Sequence, residues 1–289
     1  MIEKIILGTV QMGLDYGINN SSGKISLDDS CIIFSKAFEL GINTIDTAEA
    51  YGNAHQVIGK FHLLNPKIKF KVITKIPHDI IIGEIEQKIR TYINDLNVDS
   101  LEVLMFHSFE SYESNRSVIK DLNNLKNLEL IKHIGVSVYT NNQIETLLND
   151  DDISVVQMPF NLLDNESIRG DLMTKMKVKG KVIHTRSTFL QGLFFKENFE
   201  SNSISQKLSN ELTAVKNISK EENVSISNLA FSYCLNQKNI DQVLIGVDSE
   251  IQLIQNTNAL NYKIDKKTIK KINAIKVNNS DLLNPSLWR

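Results

Sequence analysis

The 289 residues are 42% hydrophobic and 23% charged, and 32 Lys and Arg face 34 Asp and Glu for a net charge of −2. This is globular composition without the basic surplus of a nucleic-acid binder or the acidic block of a disordered tail. Two cysteines, Cys31 and Cys234, supply neither a disulfide framework nor a CxxC pair; the apolar start is shorter than a signal core, and no apolar run is long enough to span a bilayer, so a cytoplasmic protein is expected.

Along the chain, short apolar runs rich in Val, Ile and Leu recur at Ile5–Leu7, Thr44–Ile45, Val72–Thr74, Leu101–Phe106, Ile134–Val138, Val155–Met158, Val182–Ile183 and Val243–Ile245. Their near-continuous hydrophobicity predicts strands buried on both faces. Helical periodicity fills the gaps. Leu27–Leu40 starts behind an N-cap at Ser26 and stops at Gly41; Ile81–Leu96 places Ile82, Ile85, Ile89, Ile93 and Leu96 on one face. Ser117–Leu128, Asn142–Leu148, Ile226–Leu235 and Glu250–Leu260 follow. Eight β-α units predict an α/β fold, a (β/α)8 TIM barrel, as a single domain over residues 1–289. A doubly wound sheet shares the alternation but usually has fewer strands. The stretch from Ser187 to Asp241 is irregular, with a Ser/Asn-rich piece at Glu197–Ser205 and a helical one from Gln206 to Glu222, and reads as an insertion over the barrel mouth. A C-terminal helix over Lys266–Ile275 and a tail carrying Trp288 follow from about residue 265.

Chemistry in such a barrel sits at the C-terminal ends of strands. The second run ends at Asp46, the third at Lys75 and the fourth at His107, and Tyr51 lies in the loop after Asp46. Singly, these read as a loop cap, a solvated lysine, a half-buried histidine and a packing tyrosine. Together they form a general acid with its tuning partners. A cation beside a phenol lowers its pKa, a carboxylate holds that cation, and an imidazole can bond a substrate oxygen.

These residues bring a resemblance into view. Leu7-Gly8-Thr9, the segment Asn43 to Gly52, Thr74-Lys75, His107, Gly135-Val136-Ser137, Gln157 with Pro159-Phe160-Asn161, Ser187 with Gln191-Gly192-Leu193, and Asn256 occur in the order seen in the aldo/keto reductase superfamily, which the chain resembles from residue 3 to about 260. The resemblance implies a nicotinamide dinucleotide bound across the mouth and a catalytic tetrad of Asp46, Tyr51, Lys75 and His107. Tyr51 would be the proton donor in reduction and the acceptor in oxidation, with its pKa lowered by Lys75; Asp46 would pair with Lys75, and His107 would orient the substrate carbonyl. Ser137 and Gln157 match the residues that hold the nicotinamide carboxamide, and Asn161 and Ser187 line the same region. Gly8, Thr9, Val10, Asp46, Arg186, Gln191, Gly246, Asp248, Ser249, Gln252 and Asn256 complete the implied cofactor set. The chain holds no G-x-G-x-x-G phosphate loop of the Rossmann type.

Several positions depart from the family pattern. Val138 stands where an Asn often follows the Ser of the fifth strand, and Arg186 stands where an aromatic ring often stacks on the nicotinamide. Around the adenosine, where NADPH users carry Lys or Arg, this chain has Gly246, Val247, Asp248 and Gln252. A carboxylate repels a 2′-phosphate and accepts a bond from a free 2′-hydroxyl, so NAD(H) is expected over NADP(H), although Ser249 and the helix start could still receive a phosphate. The N-terminal hairpin of many relatives is expected to be absent or short.

Substrate contacts are expected from Tyr51, His107, Gln11, Met12, Asp15, Tyr16, Phe109, Phe189 and Trp288, a polar set that suits a sugar-like carbonyl or alcohol. Two other readings remain at this stage: a Schiff-base aldolase using Lys75, and a nicotinamide-binding regulatory barrel without turnover. The expected partner is a small molecule, with no nucleic acid, membrane or metal; the histidines at 55, 62, 78, 107, 133 and 184 form no HxxxH pair, and His55 and His62 read as helix-surface residues. Oligomeric state, substrate and direction are not specified by the sequence.

Overall fold

Eight parallel strands close on themselves in chain order in the computed structural model, which describes residues 1–18, 20, 23–81, 83–199 and 203–288. They are β1 (Ile5–Gly8), β2 (Thr44–Asp46), β3 (Lys71–Ile76), β4 (Leu101–Phe106), β5 (Ile131–Ser137), β6 (Val155–Pro159), β7 (Val182–Arg186) and β8 (Gln242–Ile245). β8 returns to β1 through the pairing of Ile5 with Val243. With helices between the strands, this is the (β/α)8 barrel, in one domain. Parallel strands with both faces covered need apolar residues on both, which is why the runs do not alternate. Side chains of alternate residues separate into two layers. Ile6, Ile73, Val103, Met105 and Val155 fill the lumen, while Ile5, Leu7, Ile45, Val72 and Leu104 join the larger core under the helices.

The helix Leu27–Glu39 begins where expected, because the Ser26 hydroxyl accepts from the Asp29 amide at 3.1 Å. The next predicted helix starts late, at Ile85. Gly83 sits at φ +90°, which breaks the helix, Ile81 is exposed before it, and Ile82 falls outside the described residues. Glu250–Leu260 divides into an α-helix over Glu250–Thr257 and a 3-10 turn over Asn258–Asn261. Two helices were not picked out from the sequence: Ala54–Leu64 and Glu166–Val178. Their inner faces carry His55, His62 and Arg169, all buried.

His55 and His62 are therefore not helix-surface residues. His55 Nε2 bonds Thr74 Oγ1 at 2.8 Å on β3, and His62 Nδ1 meets the Leu96 carbonyl at 2.7 Å while its Nε2 accepts from the Phe70 amide at 3.2 Å. Each ring ties one helix to the strand or helix beside it.

At the barrel bottom, a 3-10 turn over Ile2–Lys4 leads directly into β1, and no hairpin precedes it among the described residues. Lys4 Nζ donates to the Ile240 carbonyl at 2.9 Å, and Gln242 Nε2 donates to the Glu3 carbonyl at 3.3 Å. The β7–β8 insertion contains helices Ser203–Lys207, Ser209–Glu221 and Ile226–Leu235; of the Ser/Asn-rich piece, residues 200–202 lie outside the described residues. The C-terminal helix Lys266–Asn273 docks through Asn165, whose Nδ2 donates to the carbonyls of Ile272 and Ile275 at 3.1 and 3.2 Å. No helix among the described residues is long and apolar enough to cross a membrane.

Burial lowers the pKa of His62 and brings those of His55 and His184 down to about 4. The unfolded chain takes up these protons near the ordinary histidine value of about 6.5, whereas the folded chain resists until lower pH. Stability supplied by the neutral rings is thus whole above pH ~6.5 and declines as the pH falls toward about 4. Urea unfolding midpoints at pH 7, 5.5 and 4.5 should fall in that order. A midpoint that is constant or rises would contradict the buried, neutral assignment.

Candidate active site

The barrel mouth opens into a cavity of about 580 Å³ lined, among others, by Asp46, Tyr51, Lys75 and His107, within the usual range for a small-molecule site. Lys75 and Asp46 are each 2% exposed and in direct contact. An ammonium has three N–H donors, and all three are used here. One goes to Asp46 Oδ1, one to the Thr47 carbonyl at 3.1 Å, and one to the Tyr51 phenol oxygen at 3.5 Å. The second Asp46 oxygen accepts from Gln157 Nε2 at 2.9 Å, and both the amide and the hydroxyl of Thr9 donate to the Asp46 carbonyl at 3.0 Å. β1, β2, β3 and β6 thereby meet at one ion pair.

Burial pushes Lys75 toward the neutral form, but Asp46 and Tyr51 outweigh it and hold its pKa above the ordinary lysine value. Tyr51 shifts the opposite way from the simple expectation. Desolvation raises its pKa; Lys75 and Arg186 pull it down and Asp46 pushes it up, and the net direction is upward. The phenol is therefore protonated at neutral pH. The His107 ring lies edge-on to Tyr51, with centroids 5.8 Å apart. Desolvation, reinforced by the nearby cations Lys75 and Arg186, lowers its pKa to about 4, so it is a neutral imidazole with one N–H to donate.

The loop that carries Tyr51 is held from two sides. Behind it, Glu49 bonds Lys88 at 2.9 and 3.0 Å and touches the Tyr92 hydroxyl, both from the helix Ile85–Leu96. In front, it rests on the turn Val10–Gly13 so closely that a Cβ on Gly13 would lie 1.7 Å from the Tyr51 carbonyl oxygen. Nothing in the sequence pattern singles out Glu49, because its partners lie about forty positions away.

On the opposite wall, Arg186 is held by neutral partners. Its Nε donates to Ser137 Oγ at 3.3 Å, one terminal nitrogen to Ser187 Oγ at 3.3 Å and the other to the Val138 carbonyl at 3.1 Å, while its plane stacks on Tyr139 at 4.0 Å. Val138 is thus part of the site through its carbonyl, although its side chain is in the core. Tyr139 was missed in the sequence; its position two residues past Ser137 at a strand end is the signal that could have revealed it. Buried Arg169 holds the Tyr139 carbonyl at 2.7 Å and pairs bidentately with Asp164 at 2.6 and 2.7 Å.

Most of the other expected residues line the same cavity: Gly8, Thr9, Val10, Gln11, Tyr16, Ser137, Gln157, Ser187, Phe189, Gln191, Gly246, Asp248, Gln252 and Asn256. Others do not. Met12 is fully buried in the core, and Asp15 is exposed beside Gly23. Phe109 packs on Tyr112, and Trp288 donates to the Leu282 carbonyl at 3.2 Å. Ser249 spends its hydroxyl capping the helix Glu250–Thr257, and Asn161 caps a turn through the amides of Leu163 and Asp164. Met12, Phe109, Ser249 and Asn161 follow strand ends at the mouth and Trp288 lies in the C-terminal tail, but their side chains turn into local packing or capping, while that of Asp15 faces solvent.

Comparison with known proteins identifies this arrangement. The sequence model described as aldo/keto reductase family matches residues 4–277. The chain belongs to the aldo/keto reductase family. An L-galactose dehydrogenase of Arabidopsis thaliana is 25% identical over 273 residues, covering 88% of this chain and 86% of that protein. An NADH-specific methylglyoxal reductase of Escherichia coli is 21% identical over 268 residues, covering 79% and 82%. The solved structure of the aldo-keto reductase AKR11C1 from Bacillus halodurans, in its holo form, superimposes with a TM-score of 0.76 at 18% identity, over 95% of this chain and 92% of that one. Aldo/keto reductases are oxidoreductases that use nicotinamide cofactors, and the cavity of this one fits such a group. Gln11 Oε1 and Asp248 Oδ1 are buried acceptors of lining residues with no donor among the described residues, and Gly246 lets the Gln11 amide pack against the backbone, where a Cβ would come within 2.6 Å of Gln11 Nε2.

The Gly13 contact makes a concrete expectation. Gly13→Ala must displace the backbone at Tyr51, so kcat should drop at least about tenfold, while the overpacking destabilises the fold by roughly 1–3 kcal/mol. Steady-state kinetics beside thermal melts would check it, and wild-type turnover in a folded variant would count against the assigned packing.

Proposed function

We propose that this aldo/keto reductase transfers hydride between NAD(H) and a polar, sugar-like carbonyl or alcohol, with Tyr51 as general acid and base. The observation that carries the reading is the saturated ammonium: Lys75 donates its third N–H to the Tyr51 oxygen, with its other two directed to Asp46 and the Thr47 carbonyl. The bound dinucleotide supplies or receives the hydride. The chain does the rest. In reduction, Tyr51 gives its proton to the oxygen on which negative charge develops, and the Lys75 ammonium stabilises the phenolate left behind. Neutral His107 donates a hydrogen bond to the same oxygen and orients the carbonyl. In the reverse direction Tyr51 takes the alcohol proton. Ser137 and Gln157 would hold the carboxamide, and the segment from Gly246 to Asn256 the adenosine.

NAD(H) is favoured because the cavity wall from Gly246 to Asn256 has no Lys or Arg, whereas Asp248 keeps a free acceptor oxygen there. The polar rim of Gln11, Tyr16, Asn20 and Gln191 suits a hydroxylated substrate, and the L-galactose dehydrogenase relative supports a sugar. A Schiff-base role for Lys75 is disfavoured, since its nitrogen has no free position and stays charged. A barrel that only binds cofactor would have no need of the complete tetrad.

Separate titrations with NADH and NADPH should show tighter NADH; tighter NADPH would refute the role given to Asp248, and binding of neither would refute the cofactor reading. In a screen of sugar aldehydes, ketones and alcohols, Tyr51→Phe should lower kcat by about 10²–10⁴-fold with cofactor affinity unchanged within a few-fold. Retained turnover would remove Tyr51 from its role. The raised Tyr51 pKa and the His107 value of about 4 also set a pH profile. Reduction needs both groups neutral, so kcat/KM should stay level from pH 5 to beyond pH 8, with no inflection near the ordinary histidine value of about 6.5.

A further inference from the structure

Among the described residues, two permanently cationic side chains line the cavity, Lys75 and Arg186. Asp46 offsets the charge of Lys75 at contact distance. Arg186 has no such partner: its contacts are two hydroxyls, one carbonyl and the Tyr139 ring. Three hydrogen bonds and the stack keep the guanidinium from swinging out, and Arg169 fixes Tyr139 from behind. Arg186 is thus an immobile positive charge with no carboxylate among its contacts, bonded to the Ser137 hydroxyl and close enough to Tyr51 and His107 for its field to act on both.

We infer that Arg186 makes this cleft bind the reduced, neutral nicotinamide in preference to the oxidised, cationic one. The inference rests on the nicotinamide reading above. The two redox forms share the adenosine, the riboses and the pyrophosphate, so contacts to those parts cancel in their ratio. They differ by one positive charge on the ring, which must lie beside Ser137 and therefore beside Arg186. A neutral aromatic side chain in that place would attract the cationic ring through its π face; a fixed guanidinium opposes it. Because Arg186 is half-buried, salt screens the effect less than on an open surface. In reduction, hydride leaves the dinucleotide for the carbonyl carbon and Tyr51 supplies the proton, so the cationic product ring is generated next to Arg186 and released more readily for it.

The test is calorimetric titration of the full-length protein with NADH, NAD⁺, NADPH and NADP⁺, for the wild type, Arg186→Gln and Arg186→Lys. The wild type should bind the reduced form of its preferred dinucleotide at least about tenfold more tightly than the oxidised form. Arg186→Gln should close that gap by tightening the oxidised form, and Arg186→Lys, which keeps the charge, should largely preserve it. Equal affinities in the wild type would overturn the inference without any variant. So would a gap unchanged in Arg186→Gln, or a gap lost equally in Arg186→Lys. Circular dichroism confirms folding, and Arg186→Met stands in if the Gln variant does not fold. Absence of binding by all four dinucleotides would sink the nicotinamide reading and this inference with it; binding with an unaltered gap would sink the inference alone.

Discussion

The buried contact between Lys75 and Asp46 is the constraint around which the mouth of this barrel is organised. Taking two charges out of water is unfavourable unless each remaining donor and acceptor is satisfied. Here the requirement is met from several strands at once. Asp46 takes bonds from Lys75 and Gln157, and Thr9 holds its backbone. Lys75 spends its last two donors on the Thr47 carbonyl and the Tyr51 oxygen. The chemical group of the site is thus placed by the need to satisfy a buried ammonium.

Two further layers extend that order outward. Glu49 anchors the Tyr51 loop to the helix Ile85–Leu96 through Lys88 and Tyr92. Burial would raise its carboxyl pKa, yet those partners hold it below the ordinary value. On the opposite wall a chain of contacts runs from Asp164 through Arg169 and Tyr139 to Arg186 and Ser137. The β7 loop adds three successive residues at positive φ, Leu190, Gln191 and Gly192. Gln191 there reaches Tyr16 of the β1 loop at 2.8 Å. Left-handed backbone at non-glycine residues is unfavourable in isolation and is maintained by its surroundings.

What could be read without coordinates followed from short-range patterns. Apolar runs located every strand within a few residues, because a parallel barrel strand is buried on both sides. Strand ends then located Asp46, Lys75 and His107. Helices were legible where one face was apolar, as in Ile85–Leu96, and were overlooked where buried polar groups shared the inner face. Ala54–Leu64 buries two histidines that look like solvent residues in the sequence, because the acceptors and donors that satisfy them, at Thr74, Leu96 and Phe70, are on other elements. The same limit misplaced Met12, Phe109 and Trp288. A loop's position says that it borders the mouth, but not which way a side chain turns.

The sequence by itself determined the barrel, through local hydrophobicity and strand order, and the four mouth residues, through their places at strand ends and in the loop after β2; the family followed from the resemblance of its motifs. Only the tertiary structure decided how they are tuned. That Lys75 has no free donor, that Tyr51 is raised instead of lowered, that His107 is neutral and that Arg186 has no carboxylate among its contacts are all sums over groups brought together from distant parts of the chain. Desolvation and Coulomb interactions depend on distance in space, and spacing along the chain does not encode it.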